Sequence, residues 1–173
     1  MKREERIEML INTLYNMVWD MEEELEEYGL DSNEAATNID CKIYKLIARQ
    51  IAKELNIEIP RIIVVDNMNS NDYGYYDNNT NTIALNRLLS PAAYIMLGEV
   101  KTAMKHMSTL VHELRHKYQW TYNLSILDNY VSPDEDIEAY KNHPSEVDAR
   151  KYQAQWNKND SHLKTIEMLI NKL

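Results

Sequence analysis

The chain has 173 residues, of which 44% are hydrophobic and 27% charged, and its formal net charge is −9 at pH 7. This length and composition suit one compact domain with its own core and leave too little chain for two. The negative charge disfavours the broad basic surface that binding to a phosphate backbone requires, so direct nucleic-acid binding is not expected.

The N-terminal part of the chain is predicted to form an amphipathic helix. Residues Glu4 to Tyr28 carry apolar side chains at three- and four-residue steps, and Gly29 ends the pattern. An acidic run between Asp20 and Glu27 lies on its polar side. We interpret this run as a solvated surface, and docking of a basic partner is the alternative.

A second helix follows, and it completes an N-terminal helical region over residues 1–58. Asn38 or Asp40 could cap its start, and it should end before Pro60, because the residue preceding a proline disfavours helix. Its predicted inward-facing side chains are Ile43, Leu46, Ile47, Ile51 and Leu55.

Residues 61–86 are predicted to form a small mixed sheet of about three strands. Ile62–Val65 is a β-branched run, Tyr73–Tyr76 is a weaker strand, and Thr82–Leu85 is a third short strand. The turn-rich segment Asp77–Asn81 separates the last two. With the flanking helices, these strands predict an α+β fold.

A long helix is predicted from Val100 to Tyr122, which contains no glycine or proline. Ser90 and Pro91 should open a short preceding helix that reaches Leu97. The long helix has an apolar stripe made of Met104, Met107, Val111, Leu114 and Tyr118.

This long helix contains the most informative motif of the chain, His112-Glu113-Leu114-Arg115-His116. Histidines four residues apart lie one turn from each other, so both imidazoles can reach a single Zn²⁺ from one face. Glu113 projects beside that ion and can take a proton from an attacking water and pass it to a leaving amine. H-E-x-x-H on a helix therefore predicts a zinc-dependent hydrolase with Glu113 as its catalytic residue.

Catalytic zinc sites usually have a third protein ligand, and Glu146 is the favoured candidate. Pro144 suits the first turn of a helix that could present Glu146 to the histidines, and Ala149 leaves room for close helix packing. His143 and Asp148 are the rival ligands. Asp148 points to another side of that helix, so a hydrogen bond to the outer nitrogen of a ligating histidine is an alternative role. More distant candidates are Glu138 and His162.

The remaining C-terminal sequence predicts further helices. Ser132–Glu135 has the form of a helix start, with Ile137 and Tyr140 facing inward, and His162–Leu173 carries apolar residues at helical spacing. One tyrosine of this region could donate a hydrogen bond to the oxyanion formed at an attacked carbonyl. The candidates are Tyr122, Tyr130, Tyr140 and Tyr152.

With Glu146-Val147-Asp148-Ala149-Arg150 about thirty residues after the motif, the sequence resembles the gluzincin-type zinc metallopeptidases of the ImmA/IrrE kind and related phage-borne enzymes. The segment Tyr76–Asn86 is also similar to the hairpin that precedes their motif helix, so the resemblance covers about residues 61–154. The sequence departs from that pattern at Arg115, where a small residue is usual.

The resemblance implies a single zincin-like domain over residues 1–173, with His112, His116 and Glu146 on zinc. It also implies a protein or peptide substrate, with a transcriptional repressor as one candidate. A sheet edge would flank the metal cleft and let an extended peptide add as a strand, with Tyr73, Tyr75 and Tyr76 along the groove. The alternative functions are a non-catalytic metal-binding module and a protein-interaction module.

The sequence also favours a cytoplasmic location. Cys41 is the single cysteine, so no intramolecular disulfide and no cysteine-based zinc site is expected. The charged N-terminus is not followed by an apolar run of the signal-peptide type, and no segment approaches membrane-spanning length.

Overall fold

In the computed structural model of this protein, residues 32–66, 68, 72–159 and 161–170 are described, together with eight separate positions among the first twenty. Those eight positions are helical, in agreement with the predicted first helix: Glu5, Glu8, Met9, Asn12, Thr13, Tyr15, Asn16 and Asp20. The remainder of the predicted Glu4–Tyr28 helix, with most of its acidic run, lies outside the described residues.

The described chain is mostly helical and has a small mixed sheet of three strands, which confirms the coarse prediction. Its helices are α1 (Ser32–Leu55), α2 (Pro91–Met96), α3 (Val100–Tyr122), α4 (Ile137–Asn142), α5 (Pro144–Lys158) and α6 (Ser161–Ile170). Its strands are β1 (Arg61–Val65), β2 (Gly74–Asp77) and β3 (Thr82–Asn86), and short 3₁₀ helices cover Arg87–Leu89 and Leu124–Leu127. None of the described helices is both long and apolar enough to cross a membrane.

The sheet has the order β1-β3-β2, so β3 is its central strand. It pairs in parallel with β1 and antiparallel with β2, and Ile83 lies opposite both Ile62 and Tyr76. The central strand is the most buried of the three because both its edges are paired and its Ile83-Ala84-Leu85 segment packs into the core. The order leaves β2 at an edge of the sheet.

The core lies around α3, which packs against α1, α2 and α5 and also contacts β2 and β3. The stripe of α1 that faces it repeats mainly every fourth residue, as expected for an amphipathic helix. Fully buried side chains of this core include Ile39, Ile43, Ile47 and Ile51 of α1, Ile83 of β3, and Met107, Leu110, Val111 and Leu114 of α3. Met104, predicted to belong to the buried stripe, is only partly buried.

Two predicted helix starts are wrong. Helix α1 begins at Ser32 rather than at a cap formed by Asn38 or Asp40. Asp40 does cap a helix, but that helix is α2, because its Oδ1 accepts the backbone N–H of Ala92 at 2.8 Å. Tertiary packing has therefore given the side chain a capping partner 52 residues away in sequence.

The second error concerns the segment before α4. Ser132–Glu135 forms a turn, and the helix begins at Ile137 after the cap residue Asp136, whose side chain accepts the backbone N–H groups of Glu138 and Ala139. Ile137 was predicted to face inward, but it is 47% exposed.

Buried Asp40 makes the stability of the fold depend on pH. Burial raises the pKa of Asp40 from 3.8 to about 6, although hydrogen bonds from Ser90 and Ala92 oppose this shift. The folded protein therefore holds an extra proton between these two pH values, and this side chain's contribution to the free energy of unfolding falls as the pH rises through that window.

We expect Asp40→Asn, which keeps an oxygen acceptor for Ala92 but cannot ionise, to remove this dependence. As the pH falls from 7 to 4, the free energy of unfolding of the wild type should increase, relative to that of Asp40→Asn, by up to about 3 kcal/mol. Urea unfolding of both proteins across this range measures the difference. A difference that does not change with pH would contradict the ionisation of buried Asp40.

Gly74 lets the edge strand β2 approach both β3 and α3. A Cβ atom at this position would lie 2.9 Å from the backbone oxygen of Ala84, 2.9 Å from Leu85 Cδ2 and 3.3 Å from Thr109 Cγ2. The backbone oxygen belongs to the paired strand and cannot move aside cheaply.

We therefore expect Gly74→Ala to lower the free energy of unfolding by about 1–3 kcal/mol, the usual cost of overpacking. Tyr75→Val is the control, because Tyr75 is in the same strand and 55% exposed. Denaturant unfolding compares the two variants, and an equal, small effect of both would show that β2 is not tightly confined at Gly74.

Candidate metal centre

Three side chains from two helices converge on one point. The Nε2 atoms of His112 and His116 in α3 lie 3.0 Å apart. Glu146, in the first turn of α5, places one carboxylate oxygen 3.3 Å from His112 Nε2 and the other 3.1 Å from His116 Nε2. Together they form a group that could hold a metal ion.

The spacing of these donor atoms suits a small divalent cation. An ion held tetrahedrally at about 2.0–2.1 Å from each donor needs donors about 3.3 Å apart, close to the separations observed here. Imidazole nitrogen and carboxylate oxygen are also common ligands of zinc in proteins. Glu146 is 2% exposed, so bulk water provides little competition for its oxygens.

The shifted pKa values of Glu146 and His116 also indicate a site for a positive charge. Burial alone would raise the pKa of Glu146, but hydrogen bonds and positive charge from His112 and His116 hold it well below its usual range. Burial likewise disfavours a proton on His116, yet Glu146 and Glu113 outweigh burial and raise its pKa to about 9. The buried carboxylates therefore require a positive charge between them, which a proton or a metal ion can provide.

Glu113 is buried next to this group without belonging to it. Burial raises the pKa of Glu113, and the neighbouring Glu146 adds to the shift, while the two histidines oppose it. A hydrogen bond from the backbone N–H of Tyr76 also reaches the carboxylate. That bond places the outer edge of β2 at the site, and the raised pKa makes this carboxylate a stronger base than an ordinary glutamate.

Gln119 fixes the orientation of the His116 ring. Its Nε2 donates to the backbone oxygen of Ser145 and to Asp148 Oδ2, each at 2.9 Å, so its Oε1 must face His116 Nδ1, which is also 2.9 Å away. His116 Nδ1 is therefore a donor, which leaves Nε2 as the ring nitrogen that can bind a ligand once its proton is lost. Gln119 lies three residues after His116 on the same helix face, and that spacing is the signal that could have identified this role.

Asp148, a rival ligand in the sequence, is not part of the group. It accepts hydrogen bonds from Arg115 at 2.7 and 3.1 Å and from Gln119, so it acts on His116 through Gln119 rather than directly. Arg115 also stacks on the rings of Tyr118 and Tyr152. The residue that departs from the gluzincin pattern thus joins α3 to α5.

His143, the other rival, is used as a helix cap. Its Nε2 donates to the backbone oxygen of Asp128 at 3.1 Å, and its Nδ1 lies 2.7 Å from Ser145 Oγ. Both ring nitrogens therefore have partners away from the metal group. Of the more distant candidates, Glu138 is exposed and pairs with Lys141, and the side chain of His162 lies outside the described part of the molecule.

The four candidate tyrosines separate into two pairs. The hydroxyls of Tyr122 and Tyr152 donate to the backbone oxygen of Asn56 and to Glu54 Oε1, at the C-terminal end of α1. Tyr130 and Tyr140 instead line the cavity at the metal group. Burial, and then the charge of Glu146, raise the pKa of both, that of Tyr130 to about 12, so both remain protonated donors at neutral pH.

The metal group lies at the bottom of a cleft formed by two adjoining cavities of about 440 and 460 Å³. Both are lined by Gly74 of the edge strand, by Glu113, by Tyr140 and by Glu146. Tyr75 and Tyr76 lie in one cavity and Tyr73 in the other, so each member of the predicted tyrosine cluster contacts the cleft. The site is thus open to a ligand that runs along β2.

We found no protein-family profile, curated protein or solved structure that is significantly similar to this chain. Arguments about its function therefore depend on the geometry and chemistry of the cleft.

Replacing Gln119 tests how His116 is held. We expect Gln119→Leu to weaken zinc binding by about 10- to 100-fold, because the outer nitrogen of a ligating histidine would lose its partner. Chelator competition measures this affinity. Gln153→Leu is the matched control, since Gln153 also joins α5 to α3, through Ser108, but does not contact either histidine. Equal losses in both variants would assign Gln119 a packing role only.

Proposed function

We propose that this protein is a zinc-dependent peptide hydrolase. The observation that carries the proposal is the convergence of His112, His116 and Glu146 at the bottom of a cleft that also contains the buried, non-ligating Glu113. A purely structural metal site is closed and has no need of a proton-transfer group. Here the ligand group borders open cavities and Glu113 lies beside it.

Zinc held by these three residues would lower the pKa of an attacking water and polarise the scissile carbonyl. Glu113 would take the proton of that water and then deliver it to the departing amine. Its burial and its raised pKa support this role, because a carboxylate with an ordinary pKa is a weaker base near neutral pH.

Tyr130 and Tyr140 are the candidates for stabilising the oxyanion. Both face the cavity that contains Glu113 and Glu146, and both hydroxyls keep their protons at neutral pH. A hydrogen bond from either to the developing negative charge would favour the transition state over the ground state. Tyr140 lines both cavities, and its hydroxyl already donates to Glu146, so it would exchange that partner for the oxyanion.

The substrate would bind as an extended peptide along β2. This strand is at a sheet edge, its Tyr76 amide points to the site, and cavities continue on both sides of the metal group. Addition of a strand to such an edge provides main-chain hydrogen bonds that do not depend on sequence. A transcriptional repressor is the protein substrate that the resemblance to ImmA/IrrE-type enzymes suggests.

Glu113→Gln and His112→Ala test the two parts of this proposal separately. Glu113→Gln should retain one zinc per chain but lose at least about 10²-fold of the peptide-cleavage rate, because the amide cannot accept the proton. His112→Ala should lose zinc as well as cleavage. Elemental analysis of protein without a histidine tag and a cleavage assay on a denatured protein substrate provide the two measurements.

Glu138→Gln is the control, because Glu138 is an exposed carboxylate paired with Lys141 and should retain both properties. If Glu113→Gln cleaves at the wild-type rate, the assigned proton transfer is wrong. If zinc binds and neither wild type nor variant cleaves, a non-catalytic metal-binding module is the better description.

A further inference from the structure

The two halves of the cleft differ in chemistry. The first half adjoins His116 and the C-terminal part of β2, and the second adjoins His112 and the strand's N-terminal end. Since α3 and β2 both advance from the second half towards the first, a peptide along β2 would place its residues in the two halves on opposite sides of the metal group. Each half can therefore select a different substrate residue.

The first half, of about 440 Å³, has an aromatic wall. We name it the aromatic half-cleft, and its apolar lining consists of Tyr75, Tyr76, Trp120, Leu127, Tyr130 and Tyr140. Trp120 is 40% exposed, Tyr130 48% and Tyr75 55%. Large aromatic surfaces are thus in contact with water at the site, and an apolar ligand would remove them from it.

Charge separates the two halves further. Apart from the proposed reaction centre itself, the polar lining of the aromatic half-cleft consists of Asn78 and Ser145. The second half also has apolar lining, including Pro133 and Ile137, but it adds the charged side chains of Asp72, Lys105 and Arg150. A charged substrate side chain in the aromatic half-cleft would lose water without gaining a partner of opposite charge from its walls, which is costly.

Trp120 is placed to contact the substrate residue next to the cut bond. It follows His116 by four residues, so both side chains project from one face of α3 about one turn apart. An occupant of the space beside Trp120 is therefore a near neighbour of the metal group rather than a distant part of the substrate.

We infer that the substrate places a large hydrophobic side chain, aromatic or long aliphatic, in the aromatic half-cleft, and that Trp120 determines this specificity. This inference rests on the proposed hydrolase function, since it concerns the same cleft. The protein would therefore prefer peptides that carry one bulky apolar residue adjacent to the cleaved bond.

Cleavage of a random peptide mixture by the zinc-loaded, full-length protein tests the inference. Mass spectrometry of the products should show Phe, Tyr, Trp, Leu or Met enriched at one fixed position next to the cut. For a peptide with Phe at that position, Trp120→Ala should lower kcat/KM by about 10- to 100-fold, and Trp120→Phe by much less. A matched peptide with Ala there should lose little in either variant.

Leu124→Ala is the control for surface substitutions, because Leu124 is 59% exposed and lies outside the lining of both cavities. It should leave the preference and kcat/KM unchanged. Cleavage without enrichment of large apolar residues, or enrichment that persists in Trp120→Ala, overturns the inference and leaves the hydrolase proposal standing. Failure of the zinc-loaded wild type to cut any peptide overturns both.

Discussion

The burial of two carboxylates beside two imidazoles is the constraint on which the candidate site depends. Glu113 and Glu146 are each almost inaccessible to water; His112 and His116 lie within 3.3 Å of Glu146, and their charge acts on Glu113. Negative charge without a compensating cation is costly in such surroundings. A proton on His116 can supply this charge, and so can a divalent ion at the point where the nearest donor atoms of the three side chains, counting both oxygens of Glu146, are already 3.0–3.3 Å apart. Metal binding would thus replace a proton at an electrostatically prepared position.

The close packing of α3 and α5 fixes the relative positions of the two histidines and Glu146. Ala149, fully buried, lets the two helices approach closely at the level of Glu146. Gln119 then joins the helices through Ser145 and Asp148, while it holds the ring of His116. The same contacts that stabilise the core therefore set the tautomer and direction of a ligand, so stability and metal affinity are coupled.

The edge strand links this metal centre to substrate choice. Because Gly74 has no side chain, β2 can lie close to α3, and the backbone N–H of Tyr76 reaches Glu113. The strand thereby forms one wall of the cleft from Gly74 to Tyr76. Its neighbours differ at the two ends, with Trp120 at one and Lys105 at the other, so a peptide bound along it would meet unlike surfaces on the two sides of the metal group.

The sequence by itself determined what local spacing encodes: the bounds of α3, the three strands within one or two residues, and the pair His112 and His116 on one helix face. Only the tertiary structure decided which acidic residue of α5 meets that pair, that Asp148 instead pairs with Arg115 and Gln119, and that Asp40 caps a distant helix. Periodicity and capping act within a few residues, whereas these choices depend on how helices far apart in sequence pack, and no local pattern records that.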